Sequence, residues 1–174
     1  MTIPIEYLPD ACIDVAQDRE LRGLLTTCFT GPQDVVFKTR RYFHEPYPHR
    51  WVIRDERGAV VAHIGVHEKK LEAGGEIFRF GGIGEVCVHP DHRGRGYVRE
   101  TLAVIHDWLA RHGFAFSVLY GNPEVYGSSG YVAKENVFCR EAVDQAPQRR
   151  TVLVKQLTGE PWPVADAYLQ GVTF

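Results

Sequence analysis

A mixed α/β domain of the α+β kind, with a central, mostly antiparallel sheet flanked by helices, is the fold class this sequence predicts. Three observations predict it. Residues 50–88 read as successive strands joined by turn signals, residues 97–112 switch to a helical period, and the remainder returns to short apolar, β-branched runs.

The elements follow in order. Residues 3–8 suit a short first strand. In residues 17–29, Leu21, Leu24, Leu25 and Cys28 fall at helical spacing, and Gly31-Pro32 stops the run. A second short helix is expected over 34–43. HEPYPHR (44–50) is too rich in proline for regular structure. Strands at 50–55 and 59–69 flank the turn Glu56-Arg57-Gly58, and a third, at 76–88, follows Gly74-Gly75, so an antiparallel meander fills the first half. Val98, Leu102, Ile105 and Leu109 form the apolar stripe of the next helix, with Gly113 where a terminating glycine belongs. FAFSVLY (114–120) is a buried strand. A short helix over 122–128 and strands at 131–139 and 150–157 complete the order β-α-α-β-β-β-α-β-α-β-β. Its 174 residues suit one domain, 1–174.

Composition excludes several functions. The formal net charge is -2, which argues against a partner bound through phosphate neutralisation, so no nucleic acid is expected. Cys12, Cys28, Cys87 and Cys139 are widely spaced and form no CxxC pair, so neither a disulfide framework nor a zinc site is expected. His63 and His67 share one strand face without an evident third ligand and read as surface histidines; no metal is expected. MTIPIEYLPDACID has no basic stretch followed by an apolar run, and no segment reaches the ~20 apolar residues that span a bilayer. No membrane association and a cytoplasmic location are therefore expected.

The chemistry sits in GEVCVHPDHRGRGYVRETLAVI (84–105). A strand ends at Val88, a turn HPDH follows, and RGRG opens a helix. Backbone N–H groups at a helix start point outward, and the helix dipole favours an anion there. Gly94 and Gly96 let the backbone approach a bulky phosphate, and Arg93 and Arg95 add charge and bidentate donors. The sum is a pyrophosphate cradle. It lacks the Gly-Lys-Ser/Thr ending of a Walker A loop and the GxGxxG of a dinucleotide fold.

VCVHPDHRGRGYV resembles the acetyl-CoA-binding motif of the GNAT superfamily of N-acetyltransferases: a strand ending in V-x-P, then Arg/Gln-x-x-Gly-x-Gly/Ala, then a helix. Arg93 and Gly96 match it, and Val98 departs from the usual small residue. GNPEVYGSSGYV (121–132) resembles a second segment of that family, in which an Asn opens a short helix and a Tyr precedes a Gly-aromatic pair by four positions. Asn122, Tyr126 and Gly130-Tyr131 fit it. The resemblance implies acetyl-CoA as co-substrate and direct attack of an amine on its thioester. It implies that the backbone of Val86, Cys87 and Val88 pairs with the pantetheine arm like an added strand. Arg93, Gly94, Arg95, Gly96, Tyr97 and Val98 would hold the pyrophosphate, with Asn122 also on the cofactor side, and an N–H near Val88 would polarise the thioester carbonyl.

Two side chains are catalytic candidates. Tyr126 is the candidate general acid for the departing thiolate. Glu85, on the strand leading into the motif, is the candidate general base, provided that a bulge turns it toward the site. His63, His67 and Glu68 are the alternatives. Cys87 reads as a small core residue, because no Cys–His–acid set accompanies it.

For the acceptor, residues 62–98 resemble aminoglycoside 2′-N-acetyltransferases in Ala62-His63, the pair Lys69-Lys70 before Leu71, the Gly turn and Arg79. A primary amine of a small molecule, aminoglycoside-like, is the expected acceptor. The alternatives are a protein N-terminus or lysine, and a non-catalytic acyl-CoA sensor. The aromatic-rich segments 30–50 and 158–174 either wall the acceptor pocket or pack on the core. The family resemblance also suggests a homodimer.

Overall fold

Eight strands, three α-helices and four short 3-10 turns make up residues 4–174, the part of the chain that the computed structural model describes. Residue 3 of the expected first strand lies outside the described residues. The chain divides into two compact units, 1–66 with 84–102 and 67–83 with 103–174.

In the first unit, β1 (Ile5–Tyr7) pairs antiparallel with β2 (His49–Arg54), placing Tyr7 opposite Trp51. β2 pairs antiparallel with β3 (Val60–Ala73), which places Val52 opposite His63. The expected turn joins them: Asp55 Oδ1 accepts from the N–H groups of Arg57 and Ala59. β3 is followed in the sheet by β4 (Glu76–Val88). α1 (Val15–Cys28) begins at a reciprocal cap, in which Asp14 accepts from Gln17 N–H and Gln17 Oε1 accepts from Asp14 N–H. Such a cap contributes about 1 kcal/mol. Its buried face, Leu21, Leu24 and Leu25, packs with Leu8, Phe37, Val52, Val60 and Cys87.

The helix expected over 34–43 is instead a 3-10 turn, Pro32–Lys38, followed by irregular chain through 48. Side chains end it. Arg22 donates to the carbonyl of Lys38, and Arg41 is drawn onto Asp10 and Asp18 at 2.8 and 2.9 Å, which turns the chain out of helical geometry.

In the second unit, the first part of β4 pairs parallel with β5 (Phe116–Leu119), from Phe80↔Phe116 to Ile83↔Leu119. β5 pairs antiparallel with β7 (Gln148–Gln156), and β7 antiparallel with β6 (Val132–Cys139). An eighth strand, β8 (Ala167–Leu169), was not expected; it pairs parallel with β6 and antiparallel with β3. β4–β5 and β6–β8 are the two parallel pairs among the described strands, so the sheet is mixed and mostly antiparallel. Helix α2 (Tyr97–Arg111) buries Ile105 and Leu109 completely, a gain of roughly 2 kcal/mol for each side chain removed from water. Gly113, at φ +75°, ends it as expected. Helix α3 (Pro123–Tyr126) is short and starts at Asn122. Trp162 and Phe174, from the C-terminal segment, pack on the core around Phe80, Phe116 and Leu169. No helix among the described residues is long and apolar enough to cross a membrane.

Candidate active site

The pairing of β4 with β5 ends at Ile83, while β4 continues through Val86, Cys87 and Val88. Along this stretch the side chains alternate. Cys87 is buried under α1, and Val88 packs toward Ile53, Val61 and Ala62. His89 N–H donates to Val61 O at 2.8 Å and fixes the end of the strand. A turn, Pro90–His92, leads into the loop. Gly94 and Gly96 stand at φ +74° and +78°, where side chains are strongly disfavoured. The first helical bond runs from Glu100 N–H to Gly96 O at 3.0 Å. The amides of Tyr97, Val98 and Arg99 therefore belong to the helix start, where N–H groups have no intrahelical acceptor. Arg93 and Arg95 are both exposed; Arg93 Nε donates back to Val88 O at 3.2 Å, and Arg95 Nη2 to Asp91 O at 3.4 Å. Outward amides, two left-handed glycines and two guanidinium groups fit a pyrophosphate. Tyr97 meanwhile anchors the helix start against Ile53, Val61 and Ala62.

Glu85 occupies an unusual position. It is the one non-glycine residue with positive φ (+49°) among the described residues, a backbone state that costs roughly 1–3 kcal/mol. This departure from strand geometry accompanies a buried carboxylate whose side chain is 5% exposed. Glu85 Oε1 accepts from Phe43 N–H at 2.7 Å. Oε2 lies 3.7 Å from Arg50 Nη1 and has no hydrogen-bond partner. Burial pushes this carboxyl up to about 7, against the opposing pull of Arg50. A carboxyl that titrates near neutrality, with one oxygen unsatisfied, suits a general base.

Residues 39–48 fold down over Glu85. Arg41 is tied to Asp10 and Asp18, Phe43 supplies the amide, and the buried Tyr47 ring lies against Gly65 and Gly84. A Cβ on Gly65 would stand 2.7 Å from that ring, so glycine is needed at this contact. Burial works against the ionisation of Asp10, but Arg41 and Arg50 more than offset it and hold the carboxyl below its usual range.

The expected surface histidines are not on the surface. His63 and His67 are 1% and 5% exposed, because β3 is covered on the face that carries them. Both ring nitrogens of His63 are engaged, at 2.9 Å each, with Arg50 Nη1 and with the carbonyl of Glu85. Burial, aided by the charge of Arg50, lowers His63 to about 3, so it stays neutral near pH 7, and with both ring nitrogens engaged it has no lone pair left for a substrate proton. Glu68 is exposed and pairs with Arg79 at 3.5 Å. Cys87 is buried, as a core residue should be; its contact with the Cys28 thiol, aided by Arg93, lowers Cys28 to about 7. No cluster of three or more His, Cys, Asp or Glu side chains among the described residues could hold a metal.

In the second unit, Asn122 Oδ1 accepts from Glu124 N–H at 2.9 Å and caps α3. Tyr126 ends α3, partly buried, with its ring 6.1 Å from that of Tyr131 in an edge arrangement. Burial raises its phenol. The other two tyrosines nearby are committed: Tyr131 bonds to His106 Nε2 at 2.9 Å and Ser117 Oγ at 2.7 Å, and Tyr120 to Thr173 Oγ1 at 2.8 Å. The Tyr126 hydroxyl makes no hydrogen bond among the described residues.

Arg50, Tyr47 and the amide of Phe43 were not foreseen. Arg50 offered one signal, an arginine opening the apolar run RWVIRD, which would have to find acids if the strand were buried.

A family model described as an acetyltransferase (GNAT) domain matches residues 17–133. No curated protein sequence matches at a significant level. The fold is similar to that of the GNAT family N-acetyltransferase YhbS from Escherichia coli, solved in complex with CoA; the TM-score is 0.69 at 17% identity, covering 97% of this chain and 90% of that one. It is also similar to a GNAT family acetyltransferase from Brucella melitensis in complex with acetyl-CoA (TM-score 0.60, 19% identity, 95% and 96% covered). The ribosomal-protein-S18-alanine N-acetyltransferase from Escherichia coli shares the fold at TM-score 0.56 and 12% identity, with 91% and 97% covered. With the family model spanning well over half of its length and both expected motifs in place, the chain belongs to the GNAT family of acetyltransferases.

Proposed function

We propose that the protein transfers an acetyl group from acetyl-CoA to a primary amine of a small molecule, by direct attack of the amine on the thioester. The observation that carries the reading is the joint from Val86 to Val98, where a strand edge runs past its partner into a left-handed glycine loop and a helix start. Val86, Cys87 and Val88 present backbone to the pantetheine arm. The amides and side chains from Arg93 to Val98 bind the pyrophosphate, and an N–H near Val88 polarises the carbonyl. Asn122 acts indirectly on the cofactor side, by capping the short helix that ends in Tyr126.

Glu85 takes the proton of the attacking amine. Tyr126 supplies a proton to the departing thiolate; its uncommitted hydroxyl favours it over Tyr120 and Tyr131. This reading takes 1–174 as one catalytic domain, of a length that suits one.

The small acceptor is favoured by the segment 39–48, which is pinned over Glu85 by Arg41, Phe43 and Tyr47 rather than left as an open groove for a peptide. The aminoglycoside-like amine belongs to this reading through Ala62-His63 and Lys69-Lys70-Leu71. The second reading, a protein N-terminus as acceptor, is favoured by the fold shared with the S18-alanine enzyme.

Thiol release from acetyl-CoA over a panel of aminoglycosides, polyamines, amino-acid amides and short peptides separates these readings. Turnover on peptides alone would sink the small-amine reading. Acetyl-CoA binding with no turnover on any amine would leave a sensor. In the active case, Tyr126→Phe should lower kcat by about 100-fold while leaving acetyl-CoA affinity unchanged, as expected of a lost general acid. An unchanged kcat would remove Tyr126 from the chemistry.

A further inference from the structure

Arg50 is wholly buried on β2, and all three of its guanidinium nitrogens are used. Nε faces Asp10 Oδ1 at 3.2 Å, and Nη2 donates to the carbonyl of Arg41 at 3.0 Å. Nη1 meets His63 Nε2 at 2.9 Å and stands 3.7 Å from Glu85 Oε2. A guanidinium can only donate. His63 Nε2 must therefore be the acceptor, so the ring of neutral His63 carries its proton on Nδ1. That Nδ1–H then donates to the carbonyl of Glu85 at 2.9 Å, the residue held at φ +49°.

We propose that Arg50 and His63 form a positioning pair for Glu85: Arg50 sets the tautomer of His63, His63 pins the Glu85 carbonyl at the strand irregularity, and Arg50 also holds the carboxylate by charge. The inference rests on Glu85 being the base of the reaction, and it extends that reading to residues that touch neither substrate. The pinned carbonyl fixes the direction of the next peptide, whose N–H belongs to Val86. One pair thus sets both the carboxylate and the strand backbone beside it.

Glu85 is faced by Arg50 from β2, His63 from β3, Arg40, Phe43 N–H and Tyr47 from residues 39–48, and Cys87 on its own strand. Arg50 and Arg40 are the cations of this set, and Arg40 is exposed where Arg50 is not. Removing Arg50 should therefore move the titration of Glu85, whereas removing His63, which is neutral, should disturb the backbone.

The test is carbon-13 NMR of the side-chain carboxyl of Glu85 in the full chain, assigned by its absence in Glu85→Gln. The wild type should titrate near pH 7. Arg50→Met should raise the midpoint by about one pH unit or more; an unmoved midpoint overturns the charge role. His63→Leu should shift the Val86 amide signal and speed its hydrogen exchange by about ten-fold. His63→Asn, whose side-chain amide replaces the Nδ1–H donor, should restore both. If Arg50→Met does not fold, Arg50→Lys keeps the cation but loses the planar donor: the midpoint should stay near 7 and the Val86 signal should move as in His63→Leu. An unmoved Val86 signal in both His63→Leu and Arg50→Lys overturns the positioning role. If Arg50→Met moves the midpoint while Glu85→Gln retains full turnover, the pairing stands and the base assignment falls. If Glu85→Gln loses turnover but neither Arg50 variant perturbs Glu85, the base stands and this inference falls.

Discussion

Glu85→Gln is expected to lower kcat/KM by about 10²- to 10⁴-fold, the usual contribution of a positioned general base. Glutamine keeps the volume and can still accept from Phe43 N–H, so the variant removes proton affinity more than packing. The pH profile carries the sharper signature. Burial raises the Glu85 carboxyl to about 7. A base acts when ionised, so kcat/KM in the wild type should rise with unit slope as pH increases toward 7 and level off above it. Glu85→Gln should lose that rise and keep a low, flatter profile. The stability consequence has the opposite sense. A carboxyl whose pKa is higher folded than unfolded binds more protons in the folded state, so its contribution to stability falls as pH rises from the ordinary carboxylate range toward 7. Acidification through that window should therefore cost activity without costing this part of the fold. A variant with wild-type rate and the same acid limb would assign the proton to another group.

Gly96→Val should weaken acetyl-CoA binding by about 100-fold, or ~2.7 kcal/mol. Gly96 sits at φ +78°, in the left-handed region that a β-branched residue enters only with strain. Space is not the obstacle: the nearest atom to an added Cβ is the exposed Arg99 Nη2, at 3.8 Å. The backbone itself must turn, and with it the amides at the start of α2. Charge-assisted hydrogen bonds contribute roughly 1.5–3 kcal/mol each, so losing one or two gives the stated effect. The fold should survive, since the loop is exposed and α2 is anchored through Tyr97 against Ile53, Val61 and Ala62. Calorimetric titration of acetyl-CoA into the variant, with circular dichroism as the folding control, measures the effect. Undiminished affinity in a folded variant would mean that the loop does not hold the pyrophosphate.

Much of this was legible in the sequence because the decisive features are local. The stripe Leu102, Ile105, Leu109 and the stop at Gly113 define α2, and the hairpin at Glu56-Arg57-Gly58 and the glycines of RGRG need little beyond their neighbours. The expected helix over 34–43 failed for a long-range reason, since Arg41 is held by Asp10 and Asp18, some 31 and 23 residues away. β8 was invisible because three residues between proline- and glycine-containing segments carry too little pattern, and pairing with β6 and β3 makes the strand. His63 looked like a surface residue because alternation does not reveal that a strand is buried on both faces. The state of Glu85 depends on Arg50, His63 and Phe43, brought together from three separate segments. Its residue type was legible; its left-handed backbone and buried partners were not.

Acetyl-CoA binding at the joint from Val86 to Val98 is what every proposed step depends on. The most direct measurement is isothermal titration of acetyl-CoA into the unmodified chain, with desulfo- and dephospho-forms of the ligand alongside. One-to-one binding in the micromolar range, weakened in Gly96→Val, is the predicted result. No binding of acetyl-CoA or its longer acyl relatives by the folded protein would contradict it, and the RGRG turn would then be only the joint between a strand and a helix.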